Sequence, residues 1–207
     1  MGQRRTYDTS GRRHQAALRR AAILDACRTT LEGAGYAGLT IRAVAERAAV
    51  SQETVYKTFG SKRQLVKALY DRELAGDDEP VPMAGRPAVR ALIAEPDSRR
   101  KVAGYAHLAR QVSERIGAIA AALAAGGPEA ADLTAEADRE RLAGVTAFVG
   151  HLAATGHLRP GLDPAAAADA CWVLLSPQVY RLSTVDRGWT ADAYEDWLCR
   201  MLVAALL

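Results

Sequence analysis

Between residues 40 and 70 the chain signals three helices in quick succession, and this limits its possible folds more than any other feature. Thr40, Ser51 and Ser61 each offer a side-chain oxygen suited to capping a helix N-terminus, and each precedes a short apolar stripe. Ile41, Val44, Ala45 and Ala48 fall at i, i+3, i+4 and i+7, a one-sided pattern. After Ser51, Val55 and Phe59 give the inward face, and Gly60 stops the segment. Ser61 with Gln64 makes a capping-box pattern ahead of Leu65, Ala68 and Leu69. The segments 40–48 and 51–59, joined by a tight turn, match a helix-turn-helix.

The remainder reads as helix as well. With 43 Ala and only 2 Phe in 207 residues, helices must supply most of the structure, so the fold class is all-α. Residues 1–15, polar and basic, read as a flexible arm carrying Arg4, Arg5, Arg12 and Arg13. A helix from about Ala16 has Ile23, Leu24, Cys27 and Leu31 on its apolar side and ends at Gly33 and Gly35. The breaker-rich stretch 76–87 (GDDEPVPMAGRP) is the expected linker between a helix-turn-helix domain at 16–75 and a helical body at 88–207.

In that body a short helix falls near 86–95, and a long one near 98–124 carries Tyr105, Leu108, Val112, Ile116, Ile119 and Leu123. Gly126-Gly127-Pro128 breaks the pattern before a helix with Leu142, Val145, Val149 and Leu152. Asp163-Pro164 opens another that runs toward Gly188 with a kink expected at Pro177, and Thr190 caps the last.

Composition removes several classes. The longest run of low polarity, residues 116–127, is too short to span a bilayer, and the arginines of the N-terminus interrupt any secretion signal. Cys27, Cys171 and Cys199 are widely spaced and odd in number, so they read as small apolar residues in a reducing, cytoplasmic setting. Charge is unevenly divided. Residues 1–75 hold 14 basic and 7 acidic side chains, a balance of +7, whereas residues 76–207 hold 13 and 17, a balance of −4. A basic front end on an acidic body fits a polyanion partner, here double-stranded DNA.

In a helix-turn-helix the first helix braces the second, which enters the major groove with its polar side against base edges. Burying Val55 and Phe59 leaves Gln52, Glu53, Thr54, Tyr56, Lys57 and Thr58 outward, types that hydrogen-bond phosphates and bases. Glu53 runs against that use and is read as favouring the helix N-terminus.

Residues 23–69, above all GYAGLTIRAVAERAAVS and TVYKTFGSKRQL, resemble the DNA-binding domain of the TetR family of bacterial transcriptional regulators. A looser likeness to C-terminal domains of some members lies in LRPGLDPAAAADACWVLLSPQVYRLSTVDRGW and AYEDWL. The resemblance implies phosphate contacts from Thr40, Arg42, Tyr56 and Lys62, with Gln52, Thr54 and Lys57 as the candidates for base edges. One departure is Ala49, where the family's turn usually has glycine. A left-handed backbone there costs alanine roughly 1–2 kcal/mol.

The resemblance also implies a homodimer on a pseudo-palindromic operator and a small-molecule effector held in the body. The apolar face Tyr194, Trp197, Leu198, Met201, Leu202 and Ala205 is the expected dimer interface, with intrachain core as the competing use of the same stripe. Tyr105, Leu108, Gln111, Phe148, His151, Trp172, Leu175 and Gln178 are the expected effector contacts, and their few charges favour a hydrophobic or weakly polar compound. The rivals are a DNA-binding or protein-interaction module that senses nothing, and a helical-bundle enzyme. The enzyme reading is the weaker. His14, His107, His151 and His157 include no i, i+4 pair, Cys-x-x-Cys is absent, and no nucleophile motif or phosphate-cradling loop occurs. No catalytic residue, cofactor or metal is therefore assigned.

Overall fold

The structure, a computed structural model, describes residues 9–207. Its elements are α1 (Thr9–Gly38), α2 (Ile41–Arg47), α3 (Gln52–Phe59), α4 (Lys62–Ala75), α5 (Pro87–Ala94), α6 (Ser98–Ala124), α7 (Pro128–Ala154), α8 (Pro164–Leu174), α9 (Pro177–Arg181) and α10 (Ala191–Leu206). The chain forms two compact units, divided between Tyr70 and Asp71 inside α4.

In the first unit Ile23, Leu24, Cys27 and Leu31 of α1, Val44 of α2, Val55 of α3 and Leu65, Val66 and Leu69 of α4 are fully buried. Each such Leu, Ile or Val contributes about 2 kcal/mol by leaving water. The start of α1 needs correction. The helix begins at Thr9, so residues 9–15 of the expected arm are helical, while residues 1–8, with Arg4 and Arg5, lie outside the described residues. The alanine- and arginine-rich run after His14 is strongly helix-forming, and it extends the helix beyond its last core contact at little cost. At the other end Gly35, at φ 67° and ψ 177°, interrupts the helical backbone and lets Tyr36 and Leu39 turn back into the core.

The turn between α2 and α3 follows a specific hydrogen-bond pattern. Val50 N donates to Ala45 O at 3.0 Å and Ala49 N to Glu46 O at 3.3 Å, the two bonds of a Schellman cap. Ala49 occupies its left-handed position at φ 53°. The Ser51 hydroxyl then accepts from Thr54 N and starts α3, just as the Thr40 hydroxyl accepts from Ala43 N to start α2.

The second unit buries Val102 and Ala106 of α6, Val145, Phe148, Val149 and Leu152 of α7, Ala167, Ala168 and Cys171 of α8, and Tyr194, Leu198, Leu202 and Leu206 of α10 in one cluster. Alanines at three of these positions leave little side-chain bulk between the helices. The stretch 76–87 lies in this unit, where the Arg86 guanidinium pairs with Asp77 and donates to Glu79 O. Pro177 does more than kink its helix. The α8 helix stops at Leu174, the Ser176 hydroxyl accepts from Val179 N, and Pro177 opens α9 as its first residue. A serine immediately before a proline provides both a cap and a residue with no N–H to satisfy, so a fresh start is favoured over a bend. A π-helical turn, Leu182–Asp186, follows α9.

Replacing Ala49 by Gly removes the left-handed penalty at some cost in unfolded-state entropy. Ala49→Gly is expected to stabilise the first unit by about 1 kcal/mol. Urea unfolding checks this as a higher midpoint at unchanged slope.

Candidate functional site

The outer side of α3 brings together most of the residues expected to face DNA. Val55 and Phe59 point inward, and the Arg20 guanidinium lies 4.8 Å from the centre of the Phe59 ring. Gln52, Glu53, Tyr56, Lys57 and Thr58 are exposed, with Tyr56 retaining 51% of its surface despite its aromatic ring.

Thr54 is placed differently from Gln52 and Lys57. It is half-buried, and its hydroxyl lies 2.9 Å from the Ser51 hydroxyl in the cap of α3. The Thr58 hydroxyl donates to Thr54 O at 2.7 Å. Thr54 thus joins the cap through its hydroxyl, and Thr58 serves the helix's own backbone.

The four expected phosphate contacts differ in how free they are to reach out. Thr40 is exposed, and its hydroxyl caps α2. Arg42 is exposed and paired with Glu46 at 2.8 Å, an arrangement that raises the affinity of its guanidinium for its proton, chiefly through the hydrogen bond. An ion pair this open to solvent is weak. Lys62 is half-buried at the start of α4 with its ammonium 4.3 Å from the centre of the buried Tyr36 ring. The aromatic face orients the lysine while the first turn of the helix adds its own positive end.

In the second unit the expected effector contacts fall into separate groups. Tyr105 and Phe148 stack at 3.8 Å, with Phe148 buried. Burial raises the Tyr105 phenol well above its ordinary value. Leu175 is buried in the core, Leu108 and Gln111 are half-buried, and Gln178 is exposed. Gln111 reaches His107, 2.9 Å away, which itself lies 3.0 Å from Glu195. Trp172 donates its indole N–H to Asp138 O, and the Arg141 guanidinium covers its ring at 4.2 Å while pairing with Asp138 at 2.9 Å. Asp138 and Arg141, spaced like a surface pair, thus clamp a tryptophan.

His151 has a partner that the sequence did not reveal. Lys101, only 2% exposed, donates from Nζ to His151 Nε2 at 2.7 Å and to Ile93 O at 3.2 Å. The imidazole must accept from an ammonium, so it is neutral with its proton on Nδ1. Burial first, then the lysine's charge, hold the His151 pKa below its ordinary 6.5. Lys101 falls on the polar part of the helical pattern, and only the packing of α5 and α7 against α6 buries it.

The expected dimer face needs correction. Tyr194, Leu198 and Leu202 are fully buried in the chain's own core, because that stripe of α10 packs against α6 and α8. Burial pushes the Tyr194 phenol up to about 12. Trp197, Met201 and Ala205 keep part of their surface, and Trp197 meets Trp189 edge-on at 5.8 Å. Among the described residues no cluster of His, Cys, Asp and Glu could hold a metal ion, and no helix is long and apolar enough to cross a membrane.

Residues 23–69 match the family described as bacterial regulatory proteins, tetR family. No curated protein is significantly similar to the chain. Solved structures share its fold over nearly all of their length. A TetR-family transcriptional regulator from Rhodococcus sp. matches with 22% identity over 91% of this chain and 98% of its own, at a TM-score of 0.68. The transcriptional regulator FadR from Bacillus subtilis, in complex with stearoyl-CoA, matches with 16% identity over 90% and 99%, at 0.69. NalD from Pseudomonas aeruginosa, the secondary repressor of the MexAB-OprM multidrug efflux pump, matches with 16% identity over 93% and 97%, at 0.68.

Burial of His151, with the charge of Lys101 beside it, sets a pH dependence. With a folded-state pKa below 6.5, His151 favours the folded state fully above that value, and the contribution is lost as pH falls through the window beneath it. Urea unfolding at about pH 7.5 and about pH 5.5 should show the native chain losing more stability on acidification than His151→Gln, which keeps an acceptor for Lys101 without titrating.

Proposed function

We propose that this chain is a regulator of the tetR family, a ligand-responsive repressor that binds a pseudo-palindromic operator as a homodimer. The observation that carries the reading is the outer face of α3. Exposed Gln52, Tyr56 and Lys57 project from a helix anchored by Val55 and Phe59 and held to its brace by a capped turn. Such a helix fits the major groove, with Gln52 and Lys57 against base edges. Tyr56, Arg42, Thr40 and Lys62 supply the phosphate contacts that fix its register. Thr54 keeps its hydroxyl in the cap, so its methyl group is what it offers a thymine.

A single reading head of this size binds weakly, and a second copy doubles the contacts. Trp197, Met201 and Ala205, continued by the exposed Trp189, are the apolar surface left on α10 for that partner. The body takes a small hydrophobic or weakly polar effector among residues such as Tyr105, Phe148 and Trp172. FadR, of the same fold, holds stearoyl-CoA. An effector acts by binding one state of the dimer more tightly than the other. The cytoplasm is the setting for such a protein, and regulation, not catalysis, is its task.

Selection of DNA from a random pool by the purified protein tests the reading, and a symmetric pair of half-sites is the expected product. On that operator, Lys57→Ala and Gln52→Ala should cost about 1–3 kcal/mol and relax sequence preference. Tyr56→Phe and Lys62→Ala should weaken binding almost equally on every sequence, and Lys62→Ala should reduce the salt dependence by about one phosphate contact. Unchanged affinity in Lys62→Ala at moderate salt overturns the phosphate assignment.

A further inference from the structure

The start of α6 and the end of α10 enclose an open groove of about 530 Å3, a volume within the roughly 300–1,000 Å3 of small-molecule sites. Arg99 and Arg100 on α6 and Arg200 on α10 supply its charge. Its floor is apolar, made by Ala103, Cys199, Val203 and Ala204. The spacing explains the geometry. Residues 99, 100 and 103 form one face of α6, and 199, 200, 203 and 204 form one face of α10, so each helix offers a basic group beside a small or β-branched apolar one. None of the expected effector contacts lines this groove.

Three arginines at one apolar groove are out of place in a body whose overall balance is acidic. Arg100 pairs with Glu95 at 3.2 Å. Among the described residues, neither Arg99 nor Arg200 has a carboxylate within ion-pair distance. All three are exposed, and an anion seated in the groove is attracted by each of them. Guanidinium forks also match the planar oxygens of a carboxylate better than any other side chain does. We infer that this groove is a second ligand site, taking a small amphiphilic carboxylate whose head lies among Arg99, Arg100 and Arg200 and whose hydrocarbon body covers Ala103 and Val203. The groove shares no residue with the effector contacts proposed above.

Cys199 provides the readout. It is a half-exposed free thiol in the groove, whereas Cys27 and Cys171 are buried. The full-length protein is treated with neutral dithiodipyridine, labelling at Cys199 is confirmed by peptide mapping, and the rate is followed against added octanoate, octanol or octylammonium. Octanoate is expected to slow labelling, and octanol and octylammonium at equal concentration are not. The variant R99Q/R100Q/R200Q should need at least about tenfold more octanoate for the same protection, the loss typical of removing charge-assisted hydrogen bonds.

Arg139→Gln, an exposed site on α7, is the charge control and should respond as the native chain does. An unchanged urea-unfolding midpoint and slope in the triple variant show that it is folded. Equal protection by octanoate and octanol, an unchanged response in the triple variant, or no protection at all overturns the proposal. A Cys199 that reacts only after unfolding also overturns it, because another surface then covers the groove. Each outcome is independent of whether the chain binds an operator.

Discussion

The left-handed turn at Ala49 is the constraint on which the first unit depends. Two backbone bonds, Val50 to Ala45 and Ala49 to Glu46, end α2 and set the direction in which Ser51 begins α3. Helices this short have little stability of their own, so the turn and the buried Val44, Val55 and Phe59 must hold them jointly. Alanine accepts the left-handed geometry at a cost of roughly 1–2 kcal/mol, which the surrounding core offsets. The outward aim of Gln52, Tyr56 and Lys57 follows from that geometry.

The second unit is built on a different principle. Its helices carry many alanines, and close approach compensates for the scarcity of large side chains. Close approach also brings polar groups into the interior, where each needs a partner. Lys101 finds His151 and Ile93 O, and Arg141 finds Asp138 and the Trp172 ring. Arg115 of α6 donates to the carbonyls of Glu73 and Leu74 at the end of α4. The contacts of Lys101 with His151, Arg141 with Trp172 and Arg115 with Glu73 join residues distant in sequence and tie the helices at defined positions, whereas a uniformly small apolar surface would let them slide.

Legibility in the sequence tracks how local each cause is. The caps at Thr40, Ser51, Thr190 and Asp163 are readable because a cap needs only its own first turn. The outward face of α3 is readable for the same reason, since two inward residues fix the rest by periodicity. The α10 stripe was less decipherable. Tyr194, Leu198 and Leu202 show the same pattern whether they meet a partner or their own core, and only the packing of α6 and α8 against them decides. Pro177 and Ser176 carried a readable signal for a clean restart, but a kink and a break look alike until the cap is seen to form.

The sequence by itself determined an all-α chain, the positions of its principal helix starts, the helix-turn-helix and the residues on its outer face. All of these follow from periodicity and capping, which act within a few residues. Tertiary structure alone decided that Lys101 lies buried against His151, that most of the α10 stripe belongs to the core, and that Arg99, Arg100 and Arg200 gather around one groove. Each of these depends on which helices pack side by side. In an alanine-rich body many pairings satisfy the apolar pattern about equally well, and the choice among them falls to the few large and polar side chains that must fit together.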